Sequence, residues 1–459
     1  MKGFYFREKE LELINNFFNS DNKKSLAIYG RRRTGKTELI LKAIEEYKAE
    51  AHYFQISSLD YEVSLLDFKK ILKKGEKDPI LDSLNSFKDV FTYLSNLNKK
   101  KIIVIDEFPF LAKKNDDVCV EFQYIIDHCL KNSIKLVLLG SNQSFMKGQV
   151  EQSSSPLYGR FDEILFLRPF SYREIKELYK NKKDAMNVYA MTGGVAQYVM
   201  FFKEYSSVDK AIDDLFFNRN GRLFLESGNF LNQELKDATT YNTILRLMGS
   251  SDKKASDIAS KARVDNRAIY TYLNKLEELG IIEIVNNPLA SKKEKRYHIA
   301  DLYLRFAYTF IEPNISIIAG IGKESKSFIL DEQYNEYLGF IYEEIIRDNL
   351  FSYALEKKIS FMPVEVGKWW GNVQLNGNWL ESEIDVVGVN EDNVVLGECE
   401  YRNKKIGLKE LDDLKIKGNF VSGSNKKITY LLASKNGFTD DLLNLKSDDL
   451  ILVNDEEIM

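Results

Sequence analysis

An α/β fold built on a parallel sheet is what the N-terminal part of this sequence predicts, and two observations carry it. Short apolar runs at Ser25 to Tyr29, 101–108 and 134–141 are rich in β-branched and aliphatic residues. Between them lie segments of helical periodicity, and buried runs alternating with helices argue a parallel sheet. At 459 residues the chain exceeds one ordinary core, and roughly two to four domains are expected.

The elements follow in order. REKELELINNFFN at 7–19 has apolar positions at helical spacing, and SDNKK breaks it. The strand Ser25 to Tyr29 enters a glycine-containing loop and then the helical TELILKAIEEYK. KIIVIDEF at 101–108 is the next strand, and IKLVLLGS at 134–141 follows a helical stretch containing Phe122 to Leu130. After Pro169 the pattern turns mainly helical, through SYREIKELYK and DAMNVYAMTGGVAQYVMFF. About 239–300 reads as three helices and a two-stranded wing. Beyond about 325 a long helix precedes the strands SEIDVVGV and VVLGECEY. No internal repeat or low-complexity linker is apparent, and seven prolines suggest compactly joined domains.

Composition narrows the class. Hydrophobic residues at 44% and charged residues at 29% describe a soluble globular chain, and a net charge of −4 does not discriminate between partners. Cys119, Cys129 and Cys399 form no CxxC and no Cys/His cluster, which argues against a disulfide framework or structural zinc and fits a reducing compartment. The N-terminus lacks a signal-peptide core, and no run of about 18 apolar residues could span a membrane. A cytoplasmic protein without membrane partners is expected.

The chemistry begins at Gly30-Arg31-Arg32-Arg33-Thr34-Gly35-Lys36-Thr37, which fits GxxxxGK[ST] between a strand and a helix. Loop N–H groups of such a segment cradle phosphate oxygens. Lys36 is expected to neutralise β/γ-phosphate charge and Thr37 to ligate Mg²⁺. In IIVIDE, Asp106 would hold Mg²⁺ and Glu107 would polarise the attacking water. ATP and Mg²⁺ are the expected cofactors. Ser141 and Asn142, after the third strand, could reach the γ-phosphate or position water; the alternative is a plain strand-end turn. Arg160 could neutralise transition-state charge as an arginine finger, within its own subunit or on a neighbour; the alternative is a surface salt bridge.

GRRRTGKTEL, IDEF, GSNQSFM, SPLYGR, LRPFSYREI and TGGVAQY, taken in order, resemble the archaeal-type ATPases of the AAA+/STAND side of the P-loop superfamily. The likeness continues through IYTYLNKLEELGII and YHIADLYLRFAYTFIEPN to VGKWWG, EIDVVGV and GECEYR. The resemblance implies an ATPase core at 1–168, a helical lid at 169–235 and a winged helix at 236–300. A connecting segment at 301–324 and a domain related to PD-(D/E)xK nucleases at 325–459 would follow. TGGVAQY at 192–198 would belong to the lid.

In the winged helix, Asp265 or Asn266 can cap the third helix, whose outer face would hold Ala268, Tyr270, Thr271 and Asn274. Such a helix enters the major groove while the wing meets phosphate. Lys292, Lys293, Lys295 and Arg296 make the wing basic, and Arg263 and Arg267 lie at the helix start. Glu277, Glu278 and Glu283 oppose that charge, so salt-sensitive DNA contact and a protein-packing role are both open.

In the nuclease-like domain, Asp385 and Glu398 have the spacing of two Mg²⁺-binding carboxylates, a second metal site. Glu343 could add a third ligand, and Glu365 is a substitute. The family's lysine position holds Glu400, a repulsive charge, and Lys404 or Lys405 would have to migrate. Trp369 and Trp370 could stack on bases or pack the sheet. The expected function is an ATP-binding, ATP-hydrolysing switch or motor acting on DNA or a protein partner. The alternatives are an ATP-gated nuclease and an ATP-sensing DNA-binding regulator or adaptor. Self-association is expected if Arg160 acts in trans.

Overall fold

A computed structural model gives the architecture. It describes residues 4–455 save 48–49, 58–59, 98, 113–116, 131–133, 236, 250, 291–294, 376–377, 422–425 and 446. The chain forms two compact units. One is Met1–Phe170 with Gly194–Lys203 and Glu278–Gly280; the other is Ser171–Gly193 with Glu204–Glu277 and Ile281–Met459. The stretch 169–235, expected as a lid, is thus divided between them.

The first unit is built on β1 (Ser25–Tyr29), β2 (Ala51–Gln55), β3 (Lys101–Asp106), β4 (Ile134–Gly140) and β5 (Glu163–Phe166). All pair in parallel, in the order β2-β3-β4-β1-β5. Alternate side chains feed two cores. Ala27, Ile103, Ile105, Leu136 and Leu138 pack with Phe68, Phe87, Phe91 and Phe122 on one face. Leu26, Ile28, Ile102, Val104, Val137 and Leu139 meet Ile14, Phe17, Phe18, Leu39 and Ile40 on the other. Each buried Leu, Ile, Val or Phe among them stabilises by about 1.5–3 kcal/mol. The three expected strands are present. β2 and β5 were not anticipated, because β2 alternates between buried and part-exposed positions and β5 has one buried residue in four. This order brings the carboxyl ends of β1, β3 and β4 together, where ligands of open α/β sheets lie.

In the second unit, helices Ala238–Met248, Ala255–Ala262 and Ile269–Glu278 precede β7 (Ile282–Val285) and β8 (Arg296–Ile299). A two-residue strand, β6 (Lys253–Lys254), also pairs with β8, so the expected two-stranded sheet has three strands, ordered β6-β8-β7. Asp265, rather than Asn266, accepts the free N–H groups of Arg267 and Ala268 at 2.8 and 3.3 Å. Lys292 and Lys293 lie outside the described residues. Arg296, expected to meet phosphate, is turned inward: it pairs with Glu381 and Glu383 at 3.5 and 3.4 Å and lies over the Trp370 ring at 4.7 Å.

The long helix Glu332–Leu355 leads to a sheet of β9 (Glu365–Leu375), β10 (Asn378–Val389), β11 (Asn393–Glu400), β12 (Lys427–Ser434) and β13 (Leu450–Asn454). Pairing is antiparallel from β9 to β11 and parallel from β11 to β13. The helix Leu408–Val421 provides the crossover that a parallel β11–β12 pair needs. Trp369 and Trp370 are buried, which fits packing of the sheet and withdraws both indoles from base stacking.

Candidate nucleotide site

The loop between β1 and the helix Lys36–Tyr47 is shaped by its backbone. A Cβ on Gly30 would stand 2.3 Å from the Leu167 carbonyl oxygen, so only glycine fits between β1 and the end of β5. Arg33 and Gly35 have φ of 69° and 92°. The left-handed conformation at Arg33 costs about 1 kcal/mol or more, the kind of strain that collects at ligand sites. Beside Gly35 a Cβ would meet nothing closer than Glu38 at 4.0 Å. Thr34 fastens the loop by donating to the Arg31 carbonyl at 2.8 Å, and Arg32 is half-buried.

Lys36 is buried, and its ammonium donates to the carbonyls of Gly30 and Arg31, both at 2.9 Å. Burial lowers its pKa to about 8, against the opposing pull of Glu107 and Asp106. The helix Ala196–Lys203 rests on the same loop. Gln197 N–H donates to the Arg33 carbonyl at 3.1 Å, and the guanidinium groups of Arg31 and Arg33 each lie 5.4 Å from the Tyr198 ring.

β3 delivers the two acids. Thr37 Oγ1 donates to Asp106 Oδ2 at 2.6 Å, which joins the P-loop threonine to the buried aspartate. Glu107 follows with φ of 59°, and Ser141 Oγ donates to its Oε1 at 2.7 Å. Asn142 behaves differently: its Oδ1 accepts the Phe145 N–H at 2.9 Å and caps the helix Gln143–Glu151. Ser141 is therefore the strand-end side chain that touches Glu107. Arg160 pairs with Asp127 at 3.1 Å and donates to the Tyr158 carbonyl at 3.1 Å. In this state it makes the surface ion pair, with its side chain partly exposed.

One participant was missed by sequence reasoning. Tyr53 on β2 donates from its hydroxyl to Asp106 Oδ2 at 2.6 Å. Burial and that bond push the phenol pKa well above its ordinary value, so it stays a donor. The glycine cradle, the curled Lys36 ammonium and the Thr37–Asp106 pair fit a magnesium nucleotide. Lys36 and loop N–H groups would hold phosphate, and Thr37 and Asp106 would hold the cation. Bound Mg²⁺ would offset phosphate charge.

The C-terminal carboxylates are differently disposed. Asp385 Oδ2 accepts the Cys399 N–H at 2.9 Å, beside a bulge between Ile384 and Val387. Glu398 accepts from Lys417 at 3.0 Å, and Lys417 also donates to the Glu383 carbonyl at 2.9 Å. Glu343 pairs with Arg347 at 3.6 Å, and Arg347 donates to the Asp385 carbonyl at 2.6 Å. Burial raises the pKa of Asp385, Glu398 and Glu343, and Asp385 adds to the rise at the two glutamates. Glu400 is paired with Arg402 at 2.9 Å. Lys404 and Lys405 are exposed, so the amine beside Glu398 comes from the helix Leu408–Val421 instead. Glu365 is exposed and pairs with Val389, four residues along β10 from Asp385. Among the described residues no group of three or more His, Cys, Asp or Glu side chains is arranged to hold a metal ion. No described helix is long and apolar enough to cross a membrane.

This sheet order, with its P-loop and acidic strand end, defines a P-loop ATPase. A family model described as an ATPase domain predominantly from Archaea matches residues 4–202. A second, described as archaeal and bacterial proteins of unknown function, matches 307–412. The chain belongs to this archaeal P-loop ATPase family. It is 30% identical over 400 residues to an uncharacterized protein of Methanocaldococcus jannaschii, covering 85% of each chain. Among solved structures it resembles the Walker-type ATPase of Pyrococcus abyssi, with a TM-score of 0.51 and 18% identity over 66% of this chain and 96% of that one. It also resembles the Aeropyrum pernix ORC2 protein in its ADPNP-ADP complexes, with a TM-score of 0.44 and 13% identity over 69% and 95%.

Proposed function

We propose that the chain is a nucleotide-driven switch or motor, hydrolysing Mg-ATP at Lys36, Thr37, Asp106 and Glu107. Nucleotide state would be coupled to a winged helix at 236–300 and to the C-terminal sheet, with duplex DNA as the partner. The observation that carries this reading is the division of labour at the end of β3. Asp106 is engaged by Thr37, whereas Glu107 is held by Ser141 in a left-handed conformation. A site that only stores nucleotide has no use for the second carboxylate. In the winged helix, Tyr270 is exposed on the helix Ile269–Glu278, and Arg263 and Arg267 stand at its start. With Arg296 engaged by Glu381 and Glu383, the described part of the wing offers less charge to phosphate, so DNA binding is expected to be weak and lost at raised salt. Arg160 would leave Asp127 to act as a finger once a γ-phosphate or a neighbouring subunit offers more charge.

The test is steady-state Mg-ATP turnover with and without duplex DNA, at two salt concentrations. Stimulation by DNA that fades at the higher salt supports the coupling. Turnover indifferent to DNA contradicts it and points to a protein partner.

A second reading, an ATP-gated nuclease, is favoured by Lys417, which sets a cation beside Glu398 despite Glu400. Incubation with DNA and RNA in Mg²⁺ or Mn²⁺ checks it. Cleavage lost in Asp385→Asn and Lys417→Met supports it, and no Asp385-dependent cleavage rejects it.

A further inference from the structure

Asp106 is fixed by more than its own motif. Three donors converge on one buried carboxylate: Thr37 Oγ1 and Tyr53 Oη on Oδ2, both at 2.6 Å, and the Glu107 N–H on Oδ1 at 2.8 Å. The first and third come from the P-loop and from the strand end itself. Tyr53 comes from the neighbouring strand, where the parallel register sets Tyr53 against Val104 and Gln55 against Asp106. Its ring packs against the core that holds Leu26, Ile28 and Val104, while its hydroxyl reaches the acid. A half-buried tyrosine often finds some acceptor. Here the acceptor is the same oxygen that Thr37 uses, at a distance typical of charge-assisted bonds.

The geometry has a consequence for the cation. The Thr37 hydroxyl has one proton, and Asp106 takes it, so only its lone pairs are left to face a metal ion. That orientation holds only while Asp106 keeps its rotamer. With Thr37 as its sole side-chain donor the carboxylate could pivot, and the hydroxyl would turn with it. A donor anchored in the sheet prevents this, as outer partners of metal ligands commonly do.

We propose that Tyr53 is a positioning residue for the divalent cation that accompanies the nucleotide, acting by locking Asp106 against Thr37. The inference rests on reading Thr37 and Asp106 as the cation-binding pair. Tyr53→Phe keeps the ring and removes only the donor. It should weaken cation binding about tenfold, while nucleotide binding without a cation stays as in the wild type and the thermal transition falls only by the few degrees that one lost hydrogen bond, about 1 kcal/mol, is worth.

The experiment uses the full chain with Mn²⁺ as the probe. Free Mn²⁺ is followed by electron paramagnetic resonance in the presence of saturating ADP, for the wild type, Tyr53→Phe, Asp106→Asn and the double variant. A fluorescent ADP analogue titrated in EDTA reports nucleotide binding alone. The expected result is a Mn²⁺ affinity about tenfold lower in Tyr53→Phe, with unchanged binding in EDTA and no further loss when Tyr53→Phe is added to Asp106→Asn. Equal Mn²⁺ affinity in wild type and Tyr53→Phe overturns the proposal, as does an undiminished effect in the Asp106→Asn background. If the wild type binds ADP but no Mn²⁺ with it, the reading of the Thr37–Asp106 pair fails first, and the role of Tyr53 falls with it.

Discussion

Replacing Lys36 with methionine separates what the P-loop lysine does from what its burial costs. Lys36 is 5% exposed, and burial holds its pKa at about 8 instead of 10.5. At about 1.4 kcal/mol per pH unit, keeping it charged at pH 7 costs the nucleotide-free protein roughly 3 kcal/mol. The sign follows from proton binding. Between pH 8 and 10.5 the unfolded chain holds the proton and the folded one does not, so stability rises across that window and the penalty is complete below it. Methionine has a similar length and no charge. The Gly30 and Arg31 carbonyls lose their donor, at about 1 kcal/mol each. The variant should therefore be more stable than the wild type by about 1 kcal/mol at pH 7. That is an increase of about 2–4 °C in the thermal transition that nucleotide shifts. Mg-ATP at 100 times its Kd should add about 2.7 kcal/mol to the wild type and nothing to the variant. Scanning calorimetry at pH 7, with and without Mg-ATP, reads both effects. A nucleotide-free variant melting several degrees below the wild type would show that burying the Lys36 charge is not costly, and one still protected by ATP would show that Lys36 does not hold phosphate.

Other expectations follow from the same geometry. Gly30→Ala places a Cβ 2.3 Å from a backbone carbonyl; it should destabilise the first unit by about 2–4 kcal/mol, read by denaturant unfolding, and lower ADP affinity. Ser141→Ala frees Glu107 from its 2.7 Å hydrogen bond and should change turnover by about tenfold or more at unaltered ATP affinity, which separate kcat and nucleotide-binding measurements resolve. In the second unit, burial opposes the charged form of His298, but hydrogen bonds to Asp252 and Glu283 outweigh it and raise its pKa. Glu344 pulls the same way and Arg305 the other. This contribution is complete below the ordinary histidine pKa and is lost as pH rises through the folded value. The second unit should thus melt lower at pH 8.5 than at pH 6, and His298→Gln should flatten that slope.

The motifs were legible because local spacing determines them: GRRRTGKT needs only a strand before it and a helix after it, and IIVIDE announces its acids at a strand end. What sequence reading missed depends on pairing between distant segments. β2, AHYFQ, is five residues with polar groups among the apolar ones, so neither periodicity nor a buried run marks it. Without β2, Tyr53 is one of 25 tyrosines, and only the register with β3 brings it to Asp106. Lys417 eluded the search for the same reason. It lies 19 residues beyond Glu398 on a helix, whereas proximity in sequence offered only Lys404 and Lys405, which would have had to migrate. Asn142 illustrates what spacing leaves open: its position after a strand suggested chemistry, and in this structure its side chain caps a helix. Arg296 was counted as wing charge because sequence cannot show which way a long cation turns.

Whether Glu107 drives turnover is decided by Mg-dependent ATP hydrolysis in the wild type against Glu107→Gln, with ATP binding measured on both. Hydrolysis by the wild type should require Mg²⁺, and the variant should bind ATP as well but not turn it over. Hydrolysis undiminished in Glu107→Gln, or a wild type that binds Mg-ATP and leaves it intact, would contradict this role for Glu107.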